Sequence, residues 1–218
     1  IYYESISDYP NALEVLYQSK IESENNNDLA AKITSYNYLG YVYWHMSKYD
    51  SAFYYHKKAL EICNNNTQNE KAFTLLMLGN DHYDIGEFDK ASSNYYKALK
   101  LSEDLKKISI QIQCHNRLSK LFFKLNDNKN SISHAKKAVS LNSETNPRQL
   151  GDSYNSFGNV TLKQQKTDSA LFYFSKTLSY FIQSEDIIGQ SVASINLGDS
   201  YFTKYNETNN ESNLDSSY

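Results

Sequence analysis

Gly40 and Gly79 lie 39 residues apart and Gly158 and Gly198 lie 40 apart, while the gap between the inner two leaves room for one further copy. Twelve residues after each of the first three complete positions stands a small residue: Ala52, Ala91 and Ala170. In the intervening copy Ser119 and Ser131 take these two places. A fixed period of roughly 20 to 50 residues marks a stack of repeated supersecondary units, each burying one face against its neighbours. Every other reading of the chain has to fit inside that frame.

The frame fills out consistently. Around Gly40 a first helix ends near Tyr43 to Met46, a turn follows at Ser47 to Tyr49, and a second helix carries Ala52, His56, Ala59 and Leu60. The copy at Gly79 continues with His82, Gly86, Phe88, Ala91, Tyr95, Ala98 and Leu99, and the copy at Gly158 with Thr161, Ala170, Phe174, Thr177 and Leu178. Large apolar residues at three- and four-residue intervals predict amphipathic helices. A glycine within a helix costs about 1 kcal/mol relative to alanine, so its repetition points to a place where two helices approach closely. The spacing predicts helices near 9–23, 29–46, 49–63, 69–86, 88–105, 108–126, 128–142, 147–165, 167–184 and 187–205.

Leu39-Gly40 with Tyr43, Tyr49, Ala52 and Ala59, and Leu78-Gly79 with Gly86, Phe88, Ala91, Tyr95 and Ala98, resemble the tetratricopeptide repeat. The resemblance covers residues 9 to 205 and implies an all-α fold, a right-handed superhelical solenoid of antiparallel helix pairs. It divides the chain into a partial repeat at 1–28, an array at 29–205 with four full copies and the first helix of a fifth, and a polar tail or truncated second helix at 206–218. The period exceeds the family's common 34 residues. The extra residues fall at Glu61 to Glu70, Ser102 to Ser109, Asn142 to Arg148 and Ser184 to Gly189, where helices longer by about a turn are expected. The long form is similar to repeats of kinesin light chains and spindle-orienting adaptors, and to peptide-sensing bacterial regulators.

That resemblance implies a non-catalytic module binding a protein or peptide segment on the concave face formed by the first helices. The residues it places there include Asn37, Tyr41, Trp44, Asn80, Tyr83, Asn116, Arg117, Lys120, Phe123, Lys124, Asn155, Asn159 and Lys163. Asn37, Asn116 and Asn155 share one register and Asn80 and Asn159 another. A primary amide both donates and accepts, so a row of them can clasp a peptide backbone, although the chain is rich in Asn elsewhere. Trp44, Tyr83, Phe123, Leu162 and Phe202 form an aromatic or apolar row that either anchors a ligand or packs one copy on the next. Arg117, Lys120, Lys124 and Lys163 gather cationic charge that either holds a carboxylate or forms a plain solvated face. Of the set that clamps a chaperone's terminal carboxylate only Arg117 matches, so no chaperone partner is expected.

Composition narrows the classes. Net charge is −3, from 22 Lys+Arg and 25 Asp+Glu with no basic block, which disfavours nucleic acid and anionic membrane as partners. Mean hydropathy is −0.67 and no apolar run nears the roughly 18 residues of a membrane span. Phosphate loops, H-E-x-x-H, G-x-S-x-G and C-x-x-C are absent, so neither cofactor nor metal is expected. His82 reads as a core residue, and Cys63 and Cys114 as buried small hydrophobes. The chain opens inside a partial copy without an initiator Met and reads as a fragment, with exposed apolar ends that could self-associate. A signalling role ahead of a histidine kinase or a DNA-binding domain is the expected setting, in a bacterial periplasm or cytoplasm. A structural scaffold with an empty groove is the alternative.

Overall fold

The computed structural model describes residues 8–141 and 146–215, with side chains to residue 209. Parts of three expectations therefore lie outside the described residues: 1–7 of the partial repeat, 142–145 of one junction and 216–218 of the tail. Among the described residues there are ten helices and no strand: α1 (Tyr9–Asn25), α2 (Leu29–His45), α3 (Tyr49–Glu61), α4 (Gln68–Asp84), α5 (Phe88–Asp104), α6 (Ile108–Lys124), α7 (Asn128–Leu141), α8 (Pro147–Lys163), α9 (Thr167–Gln183) and α10 (Ile187–Asp215). They pack as consecutive antiparallel pairs, the all-α solenoid that the glycine period implies. The chain divides into two compact units, Ile1–Arg117 and Leu118–Tyr218. In the first, each of α1 to α4 packs on the next in sequence, α4 packs on α5, and α2 also lies against α4; in the second, α8 lies against α7, α9 and α10.

Most joints are turns of three residues whose middle member has a left-handed backbone: Asn27, Ser47, Gly86, Lys106, Asn126, Gln165 and Glu185, with φ between 53° and 81°. At the α2–α3 joint the Ser47 amide donates to the Trp44 carbonyl and the Lys48 amide to the Tyr43 carbonyl, each at 2.9 Å. That is the bond pattern of a Schellman stop, in which two orphan carbonyls of the finished helix find donors. Lys48 is also the N-cap of α3, and its carbonyl accepts from Ala52. One residue thus closes one helix and opens the next. Two 17-residue helices with two such turns account for the 40-residue period, so at Ser102 to Ser109 and Ser184 to Gly189 the helices have lengthened as expected. At Glu61 to Glu70 the chain instead forms a junction over 62–67, tied by the Thr67 hydroxyl accepting from the Asn64 amide at 2.8 Å.

The repeated glycine sits where a ring from the second helix lies on the first. A Cβ on Gly40, Gly79 or Gly158 would stand 2.4 Å from His56, Tyr95 or Phe174 respectively, each sixteen residues further on. The alanines twelve residues on, Ala52, Ala91 and Ala170, are fully buried beside these contacts. Around them lie Ile33, Leu39, Leu76 and Leu99 in the first unit and Leu121, Val160 and Phe181 in the second, at about 1.5–3 kcal/mol of transfer free energy each.

One boundary departs from expectation. α10 continues to Asp215 instead of stopping at 205. The left-handed turn residue falls seven places after the glycine position in the other copies, at Ser47, Gly86, Asn126 and Gln165; after Gly198 that place holds Tyr205, whose bulk penalises a left-handed backbone. The extension is tied to α9 by Thr167 donating to Glu207 at 2.7 Å, just past the Lys204 to Asp168 contact at 2.6 Å.

Candidate functional site

The first helices carry the residues singled out for recognition, and the structure separates them by exposure. Asn37, in the middle of α2, is only 1% exposed. Its Nδ2 donates to Thr74 Oγ1 on α4 at 2.9 Å, bridging one copy to the next. Asn155 on α8 does the same toward α10, its Oδ1 accepting from Asn196 Nδ2 at 2.8 Å. Asn80 takes the hydroxyl of Tyr95 at 3.0 Å, the ring that covers Gly79. Asn116 is buried, whereas Asn159 is half-buried. Asn37, Asn80 and Asn155 therefore each bond within the array, and the row is in part a set of copy-to-copy ties.

The aromatic row is engaged in a similar way. Trp44 stacks on Tyr41 with centroids 6.4 Å apart and donates its indole N–H to the Asp84 carboxylate one copy further on. Tyr83 meets Phe88 edge-on at 5.6 Å, and burial raises its hydroxyl pKa, aided by Asp84 and opposed by Arg117. Phe123 lies under the Lys163 ammonium at 5.0 Å, and Lys163 also donates to Asn126 Oδ1. Lys120 and Lys124 are exposed on α6, and Arg117 is half-buried. In the fifth copy Phe202 stands 67% exposed.

Between α2 and α4 the chain leaves a shallow depression of about 200 Å³, lined by Thr34, Asn37, Tyr38, Asn69, Glu70 and Phe73. Tyr38 and Phe73 approach with centroids 6.3 Å apart at an interplanar angle of 44°. Of the residues named above for the recognition surface, Asn37 lines this depression. Tyr38, Asn69 and Glu70 become visible once α2 and α4 are placed side by side.

A buried histidine–aspartate pair in the core escaped the sequence reading. His56 Nδ1 lies 2.6 Å from Asp81 Oδ2 and its Nε2 lies 3.2 Å from the Asn37 carbonyl, with both side chains buried. Both ring nitrogens face acceptors. His82, read as a core residue, is buried against Phe53 and reaches Glu87 at 2.7 Å. Cys63 and Cys114 are free thiols; burial pushes the Cys114 thiol up to about 12, with Arg117 pulling the other way. Among the described residues no group of three His, Cys, Asp or Glu side chains could hold a metal, and no helix is long and apolar enough to cross a membrane.

Solved structures with this fold include BtubC (BKLC) from P. vanneervenii, 16% identical, with a TM-score of 0.72 over 95% of this chain and 89% of that one. Aspartyl phosphate phosphatase F from Bacillus subtilis is 17% identical, with a TM-score of 0.73 over 94% of this chain and 56% of that one. A Rap protein complexed with competence and sporulation factor is 17% identical, with a TM-score of 0.75 over 88% of this chain and 54% of that one. The chain thus spans little more than half the length of the last two, and at such identities the likeness is one of fold. No curated protein matches it in sequence. Tetratricopeptide repeat models match residues 30–104 and 112–145, together half of the chain, at the helix pairs described above. The chain belongs to the tetratricopeptide repeat family.

Proposed function

We propose that this array is a non-catalytic module that binds a peptide or protein segment along its first helices, as the sensory or regulatory part of a larger bacterial signalling protein. The observation that carries the reading is the depression between α2 and α4, where exposed Thr34, Tyr38 and Asn69 border a copy-to-copy seam. Membership in a family of protein-binding arrays supports it. So does the fold shared with a Rap protein that was solved in complex with competence and sporulation factor. Exposed Lys120 and Lys124, with half-buried Tyr41, Asn80 and Asn159, extend the candidate surface within their own units.

The test is a displayed random-peptide library panned against the chain, followed by binding measurements with Tyr41→Ala and Lys120→Ala variants. Captured peptides that lose at least about tenfold in affinity to one of these variants support the groove. Peptides whose affinity neither variant changes overturn it. The non-catalytic part fails if the chain hydrolyses acetyl phosphate above the buffer rate, a control prompted by the phosphatase of similar fold.

The scaffold alternative has an observation of its own. Ile188, Ile195 and Phe202 on α10 are 66%, 63% and 67% exposed, an apolar face that suits self-association. Concentration-dependent sedimentation abolished by Ile195→Lys, with peptide capture absent, would favour it.

A further inference from the structure

We infer that the depression between α2 and α4 is a subsite for a basic side chain, lysine or arginine, of the bound segment; this deepens the groove reading and rests on it. The chemistry of its lining is one-sided. None of the six lining residues is basic, and the one ionised side chain is Glu70. Tyr38 and Phe73 add two aromatic rings set at an angle to each other. Ring faces carry negative potential, so two rings beside a carboxylate favour a cation.

Asn37 supplies an independent pointer. Its Oδ1 is buried and has no hydrogen-bond partner among the described residues. The amide orientation follows from its neighbour: the Thr74 hydroxyl donates to the Glu70 carbonyl at 2.8 Å, so toward Asn37 it can only accept. Nδ2 must therefore face Thr74, and the group left over is an acceptor. A buried acceptor without a donor costs about 1–3 kcal/mol, which an entering N–H group relieves. An ammonium offers three donors and a guanidinium five, enough to serve Oδ1 and Glu70 together.

The position of Glu70 tempers its share. It lies in the first turn of α4, where the positive end of the helix already offsets a negative side chain. The rings and the Asn37 acceptor are thus needed beside it.

NMR titration of the full chain with N-acetyl-lysine methylamide tests the site against capped norleucine, of similar length and uncharged, and capped glutamate. Saturable shifts of the Asn37 and Asn69 side-chain amides with lysine, none with the other two, and at least about tenfold weaker lysine binding by Glu70→Gln are expected. Phe73→Leu, which keeps an apolar side chain and removes the ring, is expected to weaken lysine similarly while thermal unfolding stays near wild type. Equal binding of norleucine, or an unchanged lysine affinity in both variants, overturns the proposal. Library peptides that bind but lack Lys and Arg overturn this subsite and leave the groove standing. Lysine binding with no captured peptide supports the subsite and removes the groove.

Discussion

The α4–α5 crossing and the α6–α7 crossing meet at the same register with opposite chemistry. In the first, Gly79 has no side chain because the Tyr95 ring lies against its Cα, and Ala91 completes a dry contact. In the second, Ser119 and Ser131 exchange hydrogen bonds, each hydroxyl donating to the other's carbonyl at 2.8 and 2.9 Å, and Ala135 stands where the ring would be. The ring has moved one place back, to His134 stacked on Phe122 at 5.5 Å. A ring on a glycine and a bonded pair of serines beside an alanine thus close the same crossing in two ways, so the register is kept and the residue type is not.

The largest effect is expected where the ring also bonds a buried carboxyl group. His56→Phe keeps a ring over Gly40 but strands Asp81 in the core, and removing one partner of a buried pair costs about 3–5 kcal/mol. Urea unfolding should show that loss, and His56→Phe with Asp81→Leu should recover most of it. A double variant as unstable as the single one would mean that packing, and not the bonded pair, holds this crossing.

Next comes the same substitution at the two compared sites. Gly79→Ala places a methyl group 2.4 Å from Tyr95, and overpacking of about 3 kcal/mol outweighs a helix-propensity gain of about 1. Ser119→Ala meets no such ring and loses the hydroxyl's bond to the Ser131 carbonyl, about 1 kcal/mol, while Ser131 still donates to the carbonyl of residue 119. Equal losses at the two positions, measured by denaturant midpoint, would erase the distinction drawn above.

The third test uses pH. Burial, reinforced by Lys137, lowers the His134 pKa to about 4. The unfolded chain therefore binds the proton first: stability is full above the ordinary histidine value of about 6.5 and falls as pH drops toward 4. With partial exposure discounted, the loss near pH 5 is about 1–2 kcal/mol. His134→Phe should flatten that slope, and an unchanged slope would place the acid sensitivity elsewhere.

The smallest effect is a gain. Gln165 holds a left-handed backbone at φ 58° where the α4–α5 hairpin uses Gly86, so Gln165→Gly should raise stability by about 1 kcal/mol. Calorimetry of the variant checks the sign.

Helix positions were legible because the glycine period, the apolar spacing and the turn residues all agree, and most boundaries fall within two residues of expectation. The end of α10 was not, since the expected stop followed the repeat frame and overlooked Tyr205 at the turn position. Nor were the ties of Asn37 to Thr74 and Asn155 to Asn196, because residues 37 and 41 apart in sequence become neighbours only when copies stack. The acceptor left on Asn37 depends further on a threonine bonding back to its own helix, an arrangement that no spacing rule contains.

The three-residue turn has a consequence for how such a chain tolerates change in length. Because one residue ends a helix and starts the next, the turn holds no slack, and loss of a single residue would rotate the following helix by about 100°. His56, Tyr95 or Phe174 would then swing off its glycine. Each turn acts as a phase lock between consecutive helices, and the junction at 62–67, which lacks that stop, is where an insertion can enter without changing the phase of the helices beyond it.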